Sequence, residues 1–206
     1  MDDLREVLGN GLSSLGVEAS AAQLDRLIQY LGLLEKWGRT YNLTAIRDAR
    51  SAVDLHLLDS LLVLPHLEGV RHVLDVGTGA GLPGIPLAIL MPETRFVLLD
   101  SSGKKIRFVR QAILELGLVN VEAQALRIQD FSPSSVRFDA ILARAFSSLG
   151  EIRALTSRLL GEGGWIFALK GRYPEDELKS LGADCVEVIP LTLPGVPVDR
   201  HLVRYR

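Results

Sequence analysis

A glycine-rich segment directly follows a short apolar run, and no other feature constrains the fold of the chain as strongly. The run HVLDV (72–76) predicts a buried β-strand, and GTGAGLPG follows it without a gap. The first three glycines of that segment, Gly77, Gly79 and Gly81, permit a sharp turn and a close approach of a ligand to the main chain. A helical pattern then covers 82–90. The segment therefore predicts a strand–turn–helix unit whose helix N-terminus faces a ligand.

Short apolar runs alternate with helical patterns from residue 71 onward, and this alternation predicts an α/β fold with a mostly parallel sheet covered on both faces. Two apolar runs near the end, CVEVIPLTL and HLVRYR, flank a turn-rich loop and predict two strands. The predicted strands before them are HVLDVG, RFVLLD, NVEAQA, FDAILA and GWIFALK, and the predicted helices cover 82–90, 102–116 and 147–160.

The part before the sheet is predicted to be helical. In AAQLDRLIQYLGLLEKWG, leucines and an isoleucine recur at three- and four-residue steps, and Ser20 can cap that helix. A second helical pattern covers 48–64, and Pro65 follows it as a stop signal. We therefore predict an N-terminal helical extension over 1–68 and an α/β domain over 69–206.

Composition excludes several classes of protein. No apolar run reaches the roughly 18 residues of a membrane span, and the start, MDDLREVLGN, lacks the layout of a signal peptide. The single cysteine cannot form an internal disulfide, and the four histidines lack metal-ligand spacing. The net charge of −2 does not indicate a nucleic-acid binder, although local clusters of Lys and Arg suffice for phosphate binding. We expect a cytoplasmic monomer with no metal and no membrane partner.

Two classes of cofactor use a glycine turn with a distal acid. Asp100 ends the second predicted strand, where a carboxylate can accept hydrogen bonds from both ribose hydroxyls of an adenosine. The segment 79–84 fits G-x-G-x-x-G, so an NAD-dependent dehydrogenase is an alternative. Asp75 before the turn suits a cationic sulfonium and would repel a pyrophosphate, and Pro83 removes an amide that a diphosphate would use.

The predicted strand pair at the end of the sequence, with no second catalytic domain, is a third feature against a dehydrogenase. Together the three features favour S-adenosylmethionine over NAD as the cofactor. A glycine turn that merely joins a strand to a helix would leave both acids unexplained. The predicted cofactor-binding residues of this part are Asp75, Gly77, Thr78, Gly79, Gly81 and Asp100.

The acceptor of the methyl group is constrained by what the chain lacks. Methylation of a pyrimidine carbon needs a cysteine nucleophile, and Cys185 lies in a predicted late strand. Methylation of an exocyclic amine typically uses a proline-containing motif after the fourth strand, where this chain has Ala-Arg-Ala-Phe (143–146). An aromatic ring nitrogen with a free lone pair needs positioning and no base. We therefore predict no particular catalytic residue.

Several basic and aromatic residues are candidates for contact with RNA. The helix after Asp100 opens with basic residues on neighbouring faces, which indicate either a phosphate-binding stripe or a solvated surface. Phe146 can stack on a flipped base or belong to the core, and Lys170 can meet phosphate or simply be exposed. The candidates are Lys104, Lys105, Arg107, Arg110, Phe146 and Lys170.

Six segments resemble the glucose-inhibited division protein B family, the RsmG-type methyltransferases of bacterial 16S ribosomal RNA. The resemblance covers essentially the whole chain in the same order, and the continuation of the glycine segment into LPGIP is specific to the family. The segments are YNLTAIRD (41–48), HLLDSL (56–61), LDVGTGAGLPGIPLAI (74–89), LLDSSGKKIRFVRQ (98–111), ARAFSSL (143–149) and ALKG (168–171).

The resemblance implies a class I S-adenosylmethionine-dependent methyltransferase fold, Rossmann-like, with a mostly parallel seven-stranded sheet whose last strand is antiparallel. It also implies methyl transfer to ring nitrogen 7 of one guanine in small-subunit ribosomal RNA. Other classes left open are an NAD-dependent oxidoreductase and a non-catalytic RNA-binding ribosome-assembly factor.

Site residues carry over by matching position. Gly77 and Leu82 are implied to line the cofactor pocket, and Asp100 to hold the ribose. Ile128 and Gln129 are implied to flank the adenine, and Arg144, at the end of the fourth predicted strand, to border the cofactor; a surface arginine is the alternative. Family members often carry Glu in place of Gln129, so the adenine contact depends on whether the side chain or the backbone makes it.

Overall fold

A seven-stranded sheet forms the centre of the protein. The computed structural model describes residues 2–41, 46, 48–133, 136–182 and 186–206. The strands are β1 (His72–Val76), β2 (Arg95–Asp100), β3 (Val121–Ala125), β4 (Phe138–Arg144), β5 (Leu160–Lys170), β6 (Val186–Leu191) and β7 (Arg200–Tyr205). Their order is β3-β2-β1-β4-β5-β7-β6; β1 to β5 are parallel, and β7 is antiparallel to both neighbours. This arrangement confirms the predicted class I fold.

Helices cover both faces of the sheet. Val73 and Leu74 alternate between the two faces of β1, so each face supports its own apolar cluster. The first cluster includes Leu27 of the N-terminal part, and the second includes Ile152. The helices are α1 (Asp2–Ser14), α2 (Ala21–Tyr41), α3 (Ala49–Ala52), α4 (Asp59–Leu61), α5 (Gly84–Leu90), α6 (Gly103–Leu116), α7 (Leu149–Thr156) and α8 (Glu175–Leu181).

The predicted N-terminal helix is confirmed, including its cap. The Ser20 hydroxyl accepts the Gln23 amide at 3.3 Å, and the Gln23 carboxamide accepts the Ser20 amide at 2.9 Å. Side chains of α2 and of the sheet belong to one apolar cluster. The division into an extension over 1–68 and a domain over 69–206 stays a prediction. No helix among the described residues is both long and apolar enough to span a membrane.

The second predicted helix, over 48–64, is only partly correct. It contains α3, a π-helical turn (Val53–Leu58) and α4, and it ends at Leu61. Pro65 lies inside a separate 3₁₀ turn (Leu64–His66) and does not directly follow the helix. The proline ring disfavours α-helical backbone at the residue before it, so regular helix ends earlier than the apolar spacing predicts.

Candidate functional site

The glycine turn is bound to the end of β2. The amides of Gly77 and Thr78 both donate to the Leu99 carbonyl, at 2.8 and 3.0 Å. Gly77 and Gly79 have φ angles of 72° and 62°, a left-handed backbone that favours glycine. The turn therefore has a fixed conformation that depends on its glycines.

Asp75 joins the strand, the turn and the helix. Its Oδ2 accepts the Thr78 hydroxyl at 2.6 Å and the Gly84 amide at 3.0 Å. The Gly84 amide starts α5, so this carboxylate caps the helix, which begins two residues later than predicted. Burial raises the pKa of Asp75 to about 6, against the opposing effect of the two hydrogen bonds. Its Oδ1 is buried and has no hydrogen-bond partner among the described residues.

A tyrosine of the N-terminal part also holds the turn. Tyr30 of α2 is fully buried, and its hydroxyl donates to the Ala80 carbonyl at 2.7 Å. A side-chain carbon added at Gly81 would lie 2.6 Å from the Ile85 side chain and 3.3 Å from the Tyr30 hydroxyl. The helical extension is therefore part of the structure that shapes the turn, which the sequence analysis did not predict.

Asp100 connects the turn to the start of α6. Its Oδ2 accepts the Gly79 amide at 3.0 Å, and its Oδ1 accepts the Ser102 amide at 2.8 Å. The Lys105 ammonium lies 3.8 Å from Oδ2. The predicted pairing of glycine turn and distal acid is thus a direct contact in the structure.

A cavity of about 450 Å³ opens at the carboxyl ends of β1, β2 and β4. The order of the strands reverses between β1 and β4, and open α/β sheets bind ligands at such a point. The volume lies within the range of small-molecule sites. Its walls are formed by Val76, Gly77, Leu99, Asp100, Ser101, Lys105, Leu126, Arg127, Ile128, Gln129, Ala145, Phe146, Ser147, Glu151 and Leu155.

The structure brings part of the predicted cofactor set to this cavity. Gly77, Asp100, Ile128 and Gln129 line it. Arg144 is directed elsewhere, since its Nη1 lies 3.2 Å from Asp59 and 3.5 Å from the Ser60 hydroxyl. The predicted residues that are not in the lining are Asp75, Thr78, Gly79, Gly81, Leu82 and Arg144, and the first four support the turn behind it.

The RNA candidates occupy different environments. Lys104 and Arg107 are exposed on α6, whereas Lys105 lines the cavity beside Asp100. The Arg110 guanidinium donates to the Ala123 carbonyl of β3 at 3.0 Å. The Lys170 ammonium pairs with Glu177 at 2.8 Å.

Phe146, the aromatic candidate for contact with RNA, lines the cavity and is 36% exposed. Cys185 lies outside the described residues. No group of His, Cys, Asp and Glu suited to a metal ion occurs within the described part of the chain.

Sequence reasoning missed three contributions to the site. Ser147 and Glu151 line the cavity, and the Ser147 hydroxyl donates to the Glu151 carboxylate. Ser148 and Glu151 have the spacing of a capping box, which could have placed Glu151 in the first turn of α7 from the sequence. Asp59, which joins Arg144 to Arg200, carries no local signal, because the three residues meet only in the folded chain.

Comparison with known proteins agrees with this geometry. The family model described as rRNA small subunit methyltransferase G matches residues 23–203. The chain is 54% identical to ribosomal RNA small subunit methyltransferase G of Methylococcus capsulatus over 97% of both chains. It is 48% identical to the protein of that name from Chromobacterium violaceum, over 96% of this chain and 95% of the relative.

Solved structures support the fold. The apo form of the S-adenosylmethionine-dependent methyltransferase SibL has a TM-score of 0.60, with 19% identity, over 99% of this chain and 74% of SibL. A methyltransferase from Aquifex aeolicus has a TM-score of 0.58, with 19% identity, over 75% of this chain and 92% of that protein. The family match and the identities confirm the resemblance found in the sequence: the chain belongs to the rRNA small subunit methyltransferase G family.

Proposed function

We propose that this protein transfers a methyl group from S-adenosylmethionine to ring nitrogen 7 of one guanine in 16S ribosomal RNA. It acts in the cytoplasm as a monomer, with the small ribosomal subunit or its RNA as partner. The main support for the proposal is the direct contact between the Asp100 carboxylate and the Gly79 amide. This contact lies at the cavity where the order of the strands reverses, which is where open α/β sheets bind ligands. Membership of the family supports the choice of ribosomal RNA as substrate.

The residues of the cavity fit S-adenosylmethionine. Asp100 offers carboxylate oxygens to the ribose hydroxyls, and Ile128 and Gln129 offer an apolar surface and an amide to the adenine. Gly77 contributes main chain to the wall of the cavity, and the space left by its missing side chain is filled by the Phe146 ring. Asp75 acts indirectly: it holds Thr78 and Gly84 and so maintains the turn.

The chemistry needs positioning more than proton transfer. When bound, the cofactor supplies a methyl group on a sulfonium, which the guanine N7 lone pair takes as the S–C bond breaks, leaving a neutral thioether and a cationic base. This chain's own residues then have to hold the donor and the base in line and exclude water. The absence of a predicted base residue is consistent with an acceptor whose lone pair is already free.

The proposal is tested by transfer of a labelled methyl group. Small subunits and 16S ribosomal RNA from a strain that lacks the enzyme are incubated with the protein and tritiated S-adenosylmethionine. We expect label in 16S RNA, with 23S RNA from the same strain as the unlabelled control. Equal labelling of both RNAs, or of neither, would contradict the proposal. Binding to RNA without any transfer would instead indicate an assembly factor, and binding of NADH would indicate an oxidoreductase.

Asp100→Ala is expected to weaken binding of S-adenosylmethionine by about 1.5–3 kcal/mol, the usual worth of hydrogen bonds to a charged group. The loss has two parts, because the carboxylate would meet the ribose and also holds the Gly79 and Ser102 amides. Calorimetric titration measures the affinity. Asp176→Ala, at a fully exposed acid of α8, is the control and should bind normally. An unchanged affinity in Asp100→Ala would remove this residue from the cofactor site.

Replacing Lys104 and Arg107 with Gln is expected to weaken RNA binding and flatten its salt dependence. Both side chains are exposed on α6, beyond the cavity. Each lost phosphate contact lowers the slope of log affinity against log salt by about 0.7–0.9. A control pair, Arg5→Gln with Lys179→Gln, removes the same charge from α1 and α8. If both pairs change the slope equally, the α6 residues form only a solvated surface.

A further inference from the structure

The loop between β4 and α7 places an aromatic ring on the glycine turn. A side-chain carbon added at Gly77 would lie 2.5 Å from Cδ2 of Phe146, so the Phe146 ring occupies the space beside the main chain there. Both residues line the cavity. Phe146 therefore forms a part of the cavity wall that lies directly against the turn.

The residue before this ring has an unfavourable backbone. Ala145 has a φ of 50°, in the left-handed region. No other non-glycine residue in the described part of the chain has a positive φ. Such a conformation persists only where the surrounding structure fixes it. The position of Phe146 therefore depends on contacts made by the rest of the loop.

Two charged residues make those contacts. The Lys170 ammonium, at the end of β5, donates to the Ser147 carbonyl at 3.0 Å and to both Glu177 oxygens at 3.0 and 2.8 Å. Glu177 Oε2 also accepts the Leu149 amide at 2.7 Å. The pair holds the main chain on both sides of Ser148, directly after Phe146.

These contacts occupy the whole hydrogen-bonding capacity of the lysine. An ammonium has three donors, and the structure gives Lys170 three acceptors. The Lys170 side chain is only 18% exposed. A phosphate could bind there only by displacing one of these partners, so the geometry disfavours the direct RNA contact that the sequence left open for Lys170.

We propose that Lys170 and Glu177 are positioning residues that hold the β4–α7 loop so that Phe146 stays against Gly77. This inference rests on the proposed function, because it assigns the fixed Phe146 ring to the boundary between the cofactor and the target base. Neither charged side chain touches the substrate; both act through the loop. A carboxamide at Glu177 would lose the ion pair while it keeps nearly the same shape.

A double-mutant cycle tests whether Glu177 acts through Phe146. The variants are Glu177→Gln, Phe146→Leu and the double substitution, and the measurements are kcat and KM on RNA and the Kd of S-adenosylhomocysteine. We expect Glu177→Gln to lower kcat/KM about tenfold and to weaken S-adenosylhomocysteine binding about threefold. Once Phe146 is Leu, the same change should have almost no further effect on either quantity. A general loss of folded protein would instead reduce activity by the same factor in both backgrounds.

A salt titration separates positioning from phosphate binding. Lys170→Met is expected to lower kcat while the salt slope of RNA binding stays as in the unsubstituted protein. A slope reduced by about 0.7–0.9 would mean that Lys170 contacts a phosphate, and would overturn the proposal. Additive losses in the cycle would overturn it as well. If the unsubstituted protein transfers no methyl group, the proposed function fails, and the S-adenosylhomocysteine cycle alone decides whether the pair positions Phe146.

Discussion

Asp59→Ala is expected to lower the free energy of unfolding by about 3–5 kcal/mol, the usual cost of removing one partner from a buried ion pair. Asp59 lies on α4 and is 5% exposed. Its carboxylate pairs with Arg144, the last residue of β4, at 3.2 Å and with the guanidinium of Arg200, the first residue of β7. The substitution removes the carboxylate from two largely buried cations and, with it, a polar link between the helical extension and the sheet.

Urea unfolding of matched variants checks this result. Asp25→Ala removes the acid of a surface pair, Arg5–Asp25, and should cost less than about 1 kcal/mol because water screens that pair. Asp59→Asn keeps one acceptor oxygen and should fall between the two alanine variants. Equal, small losses for Asp59→Ala and Asp25→Ala would show that the three-residue cluster does not stabilise the fold.

Asp75 is expected to make the stability of the protein fall as the pH rises from about 4 to 6. Burial raises the pKa of this carboxyl to about 6, above its ordinary value. The folded state therefore binds more protons than the unfolded chain in that window, so deprotonation favours unfolding. The shift corresponds to about 3 kcal/mol over the full window, of which about 2 kcal/mol falls above about pH 4.5.

Asp75→Asn isolates this contribution, because the carboxamide does not titrate. We expect the stability of the unsubstituted protein, relative to this variant, to fall by about 2 kcal/mol between about pH 4.5 and 7.5. Asp48→Asn is a control of opposite sign: the Ser51 amide lowers the pKa of Asp48, so its contribution is lost as the pH falls. A stability difference for Asp75→Asn that does not vary with pH would contradict the assignment of a raised pKa.

Most of the fold follows from local patterns in the sequence. Buried parallel strands have continuous apolar runs, and the positions of β1, β2, β4 and β5 were therefore predictable. The edge strand β3 has the sequence VEAQA and is only partly buried, so its prediction depended on its place in the strand–helix alternation. The helix α8 was missed, since it is short and follows Pro174 without an apolar stripe long enough to indicate it. The predicted end of the second helix was wrong because Pro65 disfavours helical backbone before it, so the regular helix ends at Leu61 although the apolar spacing continues.

The site was predictable only where its residues directly follow a predicted strand. The glycine turn and Asp100 follow predicted strands, and the carboxyl ends of parallel strands meet at one edge, so their contact could be foreseen. The partner of Arg144 could not be predicted, because Asp59 lies far from it in the sequence. The partner of Lys170 is only seven residues away, but it lies on α8, a helix that the sequence pattern did not indicate. Both residues were candidates for contact with a ligand, with a surface role as the alternative, and in the structure each forms an ion pair with an acid of the same chain.

The proposed methyl transfer is tested most directly by identifying the nucleoside that receives the methyl group. 16S ribosomal RNA from a strain that lacks the enzyme is treated with the protein and S-adenosylmethionine bearing a heavy-isotope methyl group, then digested and analysed by mass spectrometry. The proposed function predicts isotope in 7-methylguanosine at a single position, and a much lower yield with Asp100→Ala. Isotope in any other nucleoside, or no isotope in the RNA, would contradict it.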